Sequence, residues 1–116
     1  MSITLYHNPR CSKSREAFAI LEESGKDFKT IEYLKTPLSK FELVKIFKLL
    51  KTEAKTLIRN KEPLFAELKL SLTDKKTWEE WAEIIEKNPI LMERPLVVTD
   101  KNAIIGRPPE NIKKII

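Results

Sequence analysis

With 116 residues the chain has the length of one domain and enough material to bury a core without disulfides or a structural metal. Its single cysteine and single histidine exclude an internal disulfide and the usual four-ligand zinc site, so no metal is expected. The formal charge of +5 and pI near 9.3 would allow a nucleic-acid partner, but lysines and glutamates are interspersed through residues 51–61 and 75–87 and no basic run is interleaved with stackable aromatics; none is expected, and the excess charge suits a small oxyanion equally well.

At the start, Ile3, Leu5 and Tyr6 are mixed with polar residues and predict a strand over residues 3–6 that stops at His7-Asn8-Pro9, unlike the apolar core of a signal peptide. A helix over Ser12–Glu23 follows, with Ala17, Phe18 and Leu21 on one face and Gly25 ending it. Residues 28–33 alternate again as a second strand, and such a β-α-β unit makes the two strands parallel with a right-handed crossover. Thr36-Pro37 breaks the chain, and Ser39 with Glu42 forms a capping box opening a helix expected to turn Phe41, Val44, Phe47 and Leu50 to the core. Short helices are expected near residues 52–58 and 63–68, then a longer one over residues 75–86 with Trp78, Trp81, Ala82 and Ile85 inward. Asn88-Pro89 stops it. Leu96–Thr99 is a β-branched strand preceded by Arg94-Pro95, Asp100-Lys101-Asn102 is turn chemistry, and Ala103–Ile105 pairs back as a hairpin. Gly106-Arg107-Pro108-Pro109 leads into a last helix over residues 110–115. The order is therefore β-α-β, a helical block over about residues 37–90, then β-β-α, within one domain spanning residues 1–116. No stretch has transmembrane length, and no membrane association is expected.

The chemistry concentrates at the first strand–helix junction, Leu5-Tyr6-His7-Asn8-Pro9-Arg10-Cys11-Ser12-Lys13-Ser14-Arg15. A thiol at a helix N-terminus feels the unpaired backbone N–H groups, and Arg10, Lys13 and Arg15 add positive charge, so Cys11 is a candidate thiolate nucleophile rather than a small buried hydrophobe. A free thiol of this kind persists in a reducing compartment, which points to the cytoplasm. His7 lies four residues before Cys11, where it either tunes the thiol or holds the Asn8-Pro9 turn. Ser12 and Ser14 are placed to cap the helix or to donate to the sulfur or a bound anion. Arg59, Arg94 and Arg107 fall at element ends; converging on one thiolate they would grip a tetrahedral anion through paired N–H donors, although each taken singly is equally at home on the surface. Other schemes lack their residues. A tyrosine-phosphatase-like loop needs an arginine six positions after the cysteine, where Ala17 stands; Ser14 occupies the second position of a C-x-x-C pair; and Gly25 and Gly106 alone cannot build a phosphate loop.

Three segments together, residues 6–15, Met92-Glu93-Arg94-Pro95-Leu96-Val97-Val98 and Ile105-Gly106-Arg107-Pro108-Pro109, resemble the glutaredoxin-coupled arsenate reductase family over essentially the whole chain. The resemblance implies an α/β, thioredoxin-like fold with a four-stranded mixed sheet and a helical insertion between the β-α-β and β-β-α units, with Pro95 as the cis proline beside the active cysteine. It implies Cys11 as nucleophile, Arg59, Arg94 and Arg107 as oxyanion ligands and His7 as support for the cysteine. It further implies reduction of arsenate through a thiol adduct that glutathione, a co-substrate rather than a tightly bound cofactor, resolves, with glutaredoxin reducing the mixed disulfide. One cysteine independently requires that the second electron-donating thiol come from another molecule. The family also resembles glutathione-dependent thiol reductases, and Spx-type regulators that bind RNA polymerase, which typically carry the C-x-x-C that Ser14 removes here. The absence of a leftover apolar stripe leads to the expectation of a monomer.

Overall fold

The structure, a computed structural model, describes residues 2–116. Strand β1 (Ile3–His7) is followed by helix α1 (Ser12–Glu23), strand β2 (Lys29–Glu32), helices α2 (Lys40–Leu49), α3 (Pro63–Glu67) and α4 (Trp78–Lys87), then the hairpin strands β3 (Leu96–Thr99) and β4 (Ala103–Ile105). Short 3-10 segments occupy Ala54–Leu57, Pro89–Leu91 and Pro109–Lys114. The sheet runs in the order β2-β1-β3-β4, with β1 parallel to β2 and antiparallel to β3, and β3 antiparallel to β4. This is the thioredoxin-like mixed sheet, with α2, α3 and α4 inserted between its two halves.

The period-two pattern of the strands divides the core between the faces of the sheet. Ile3, Leu5, Val97 and Ile104 point one way and bury against Ala17 and Leu21 of α1 and Ile112 of the last 3-10 turn. Tyr6, Leu96, Ala103 and Ile105 point the other way and meet the inserted helices through Leu43, Ile46, Phe47, Trp81, Ala82 and Ile85. Burying both faces is what a sheet with a parallel pair and hydrophobic strands requires.

Helix ends follow local chemistry. Ser39 caps α2 by accepting from the Glu42 N–H, and Glu42 reciprocates at the Ser39 N–H. Thr77 and Glu80 build the same box at α4, so that helix opens at Trp78 rather than at residue 75. Gly25, at φ 72°, takes the left-handed conformation just beyond α1, where a side chain would be strained.

Two expectations about inward faces are corrected. Phe41 is 81% exposed; the inward stripe of α2 is Leu43, Ile46 and Phe47, with Val44 and Leu50 partly buried. Two residues from Leu43 is about 200° around an α-helix, which puts Phe41 on the opposite side. Trp78 is 37% exposed, because as the first residue of α4 it lies at the rim of the packed layer and covers Phe47 with one face, the ring centroids 4.9 Å apart. Its partner Trp81 is buried as expected. The segment after β4 is a 3-10 turn over Pro109–Lys114 rather than a helix over residues 110–115, and the short helix read near residues 52–58 is likewise a 3-10 turn. Both close with i to i−3 bonds, from the Thr56 and Ile58 N–H groups to the Glu53 and Lys55 carbonyls in one and from the Asn111 and Ile115 N–H groups to the Pro108 and Ile112 carbonyls in the other. Among the described residues no helix is long and apolar enough to cross a membrane.

Candidate active site

Cys11 is the N-cap residue of α1, in extended conformation and with no side-chain cap, so its sulfur lies where the first N–H groups of the helix are unpaired. The loop before it is tied from below. Cys11 N–H donates to the Asn8 carbonyl at 3.0 Å, and the wholly buried Ser14 accepts from the Asn8 N–H at 3.0 Å while pairing with His7 Nδ1 at 2.6 Å. His7 and Ser14 therefore fix the loop; the Ser14 hydroxyl is neither a helix cap nor turned to the sulfur, and His7 directs its Nδ1 to Ser14. The His7 ring also stacks on Phe18 at 5.6 Å. Ser12 is exposed at the first position of α1.

Two arginines converge on this loop from the ends of the hairpin. Arg107 Nη2 lies 3.9 Å from Cys11 Sγ, and Arg107 Nε donates to the Arg94 carbonyl at 2.9 Å. Glu93 Oε1 holds both cations, at 3.0 Å from Arg94 Nη1 and 3.4 Å from Arg107 Nε. Arg94 Nε is buried and has no hydrogen-bond partner among the described residues. The peptide bonds preceding Pro95 and Pro108 are both cis. Gly106 closes the gap between these segments: a Cβ there would come within 2.9 Å of Pro95 Cγ and 3.2 Å of Ile112 Cγ2.

Arg59 reaches the same rim by a different route. Its N–H donates to the Leu91 carbonyl at 2.7 Å and the Glu93 N–H donates to the Leu57 carbonyl at 2.7 Å, so residues 57–59 run beside residues 91–93. The guanidinium pairs with Glu62 at 3.0 Å and is half-buried. Its charge, together with those of Arg94 and Cys11, acts on the hydroxyl of Tyr33.

A model of the ArsC family matches residues 6–115. This chain belongs to the ArsC family. It is similar to an uncharacterised Escherichia coli protein, YfgD, at 43% identity over 98% of this chain and 96% of that protein. It is also similar to the arsenate reductase of Neisseria meningitidis serogroup A, at 40% identity over 98% of this chain and 97% of that one. Among solved structures, the arsenate reductase from Vibrio cholerae superposes with a TM-score of 0.90 at 40% identity, covering all of this chain and 98% of that one.

The electrostatics of this ArsC-family site favour the thiolate. Burial, the largest single influence, pushes the Cys11 thiol up, but the Ser14 and Lys13 backbone N–H groups and the Arg94 and Arg107 guanidinium groups together bring it below its ordinary value. His7 is lowered, first by burial and then by Arg15, against an opposing pull from Glu32. Sequence reasoning missed Tyr33, Glu93 and Glu62. Tyr33 is 1% exposed just beyond β2, and burial raises its hydroxyl while Arg94 and Arg59 act the other way. The β-α-β pattern was the signal in the sequence, since it makes the two strands parallel; the observed register, His7 beside Glu32, then places residue 33 beside the active loop. Glu62 sits three residues after Arg59 and Glu93 immediately before Arg94, and each carboxylate meets its arginine at 3.0 Å outside any helix, where no spacing rule announces the contact.

Proposed function

We propose that this chain reduces arsenate to arsenite, with Cys11 as nucleophile and with electrons drawn from glutathione and then glutaredoxin. One observation supports the reading above others: a lone thiol, lowered toward its ionised form, with Arg107 Nη2 3.9 Å from the sulfur and the unpartnered Nε of Arg94 in the same cluster. Planar guanidinium groups donate paired N–H bonds and suit a tetrahedral oxyanion held against a thiolate.

The Cys11 thiolate attacks arsenic, an S–As bond forms, and one arsenate oxygen leaves as water after gaining protons. A glutathione thiolate then attacks Cys11 Sγ. The S–As electron pair passes to arsenic, which leaves as arsenite, and the two sulfurs become a mixed disulfide, so two electrons lost by sulfur are gained by arsenic. Glutaredoxin's thiols reduce that disulfide and restore Cys11. Arg94 and Arg107 hold the oxyanion, Arg59 assists from the rim, and His7, Ser14 and cis Pro95 keep the loop and strand ends in place. The same reading has the chain acting as a monomer in the cytoplasm, where a single free thiol stays reduced.

Arsenate-dependent oxidation of glutathione, with glutaredoxin supplied, tests this directly by comparing the native chain with Cys11→Ser. Turnover in the native chain and none in the variant is expected. Equal turnover in both would remove the mechanism, and no arsenate turnover despite a reactive Cys11 would move the assignment to a glutathione-linked thiol reductase.

A further inference from the structure

The reaction needs a place for the second thiol, and one cavity shares Arg107 with the Cys11 site. A groove of about 470 Å³ runs along the 3-10 turn Ala54–Leu57 and past the end of β4, within the range of about 300–1,000 Å³ typical of small-molecule sites. Arg107 belongs both to this groove and to the Cys11 site, so an occupant lies one guanidinium away from the sulfur. By contrast, the cavity of about 410 Å³ between α3 and α4 includes no residue of that site.

The charges of the groove are specific. Its cations are Lys55 and Arg107 and its carboxylates are Glu53 and Glu93. Glu93 is already engaged by Arg94 and Arg107, whereas Lys55 and Glu53 make no ion pair among the described residues. Among the described residues the groove thus offers one free cation, Lys55, one free carboxylate, Glu53, and the guanidinium of Arg107, whose Nε is braced by Glu93 and the Arg94 carbonyl while its Nη2 faces the sulfur. Thr52, Asn60 and Asn111 supply neutral polar contacts, and Leu72 part of an apolar floor. We propose that this groove is the subsite for the resolving thiol, a small zwitterionic peptide thiol with two carboxylates and one ammonium group. The inference rests on the reading that an external thiol resolves Cys11, and glutathione is the probe that carries this charge pattern.

Thiol–disulfide exchange tests the groove without arsenate. The Cys11 thiolate attacks one sulfur of oxidised glutathione; a Cys11–glutathione disulfide forms, the original S–S bond breaks, and one glutathione thiolate leaves. The quantity to measure is the rate with oxidised glutathione divided by the rate with the uncharged bis(2-hydroxyethyl) disulfide. That ratio should fall about tenfold in Lys55→Glu. It should remain unchanged in Lys101→Glu, which alters net charge equally but lies in the β3–β4 turn. A ratio unaltered by Lys55→Glu, or lowered equally by Lys101→Glu, would overturn the subsite. If the ratio falls as expected in a chain that shows no arsenate turnover, the groove stands and the arsenate reading fails; if arsenate turns over and the ratio does not move, the reverse holds.

Discussion

Cys11 is acidic in spite of its own burial, because fixed N–H dipoles and two guanidinium groups outweigh desolvation. The folded thiol is thus a stronger acid than the unfolded one. Its ionised form adds stability above the pH where the unfolded thiol titrates, and that contribution is lost as pH falls through the folded value. Reactivity follows the same titration. Alkylation by iodoacetamide should reach half its maximal rate below the free thiol value of about 8.5, and Arg94→Gln should move that midpoint upward. A native midpoint at or above the free value would contradict the electropositive site. His7 differs, since burial favours its neutral form and its Nδ1 serves Ser14.

The elements were largely readable because their signals are local. Alternating strands, the Ser39 capping box and Gly25 each announce themselves within a few residues, and the structure has all of them. Thr77-Trp78-Glu79-Glu80 carries the same capping signal, and with it Trp78 becomes the first residue of α4 rather than an interior one. Phe41 misleads for a different reason: a large apolar side chain in the first turn of an amphipathic helix looks like core, but the face is set by Leu43, Ile46 and Phe47. This difference is measurable in urea. Leu43→Ala, at a wholly buried site, should cost about 2–5 kcal/mol, whereas Phe41→Ala, at an exposed one, should stay within about 0.5 kcal/mol. Comparable losses at both positions would mean that α2 presents another face.

For the molecule as a whole, the site is a rim where distant segments end together. Because β1 is parallel to β2 and antiparallel to β3, His7 and Glu32 lie side by side at the end of the sheet where β3 begins and β4 finishes. Topology therefore brings positions 11, 94 and 107 together, and spacing alone could not show it. Arg59 depends further on residues 57–59 running beside residues 91–93, a pairing with no sequence signature. An anion gripped by side chains from separate segments should stabilise the whole chain. Arsenate at a hundred times its dissociation constant would add about 2.7 kcal/mol, visible as a rise in Tm, and Arg94→Gln or Arg107→Gln should reduce that rise. A Tm rise of the same size in both variants would place the anion elsewhere.

The braces on the arginines have a consequence for electroneutrality. Three guanidinium groups are held by two carboxylates, Glu62 and Glu93, which leaves one positive charge that the Cys11 thiolate matches. An arriving oxyanion upsets that match and makes the sulfur bind its proton more firmly unless it is attacked at once. Sulfate or phosphate in a buffer is then a participant in the titration of Cys11, and a nucleophile measured among such ions is a weaker acid than the same nucleophile measured in chloride.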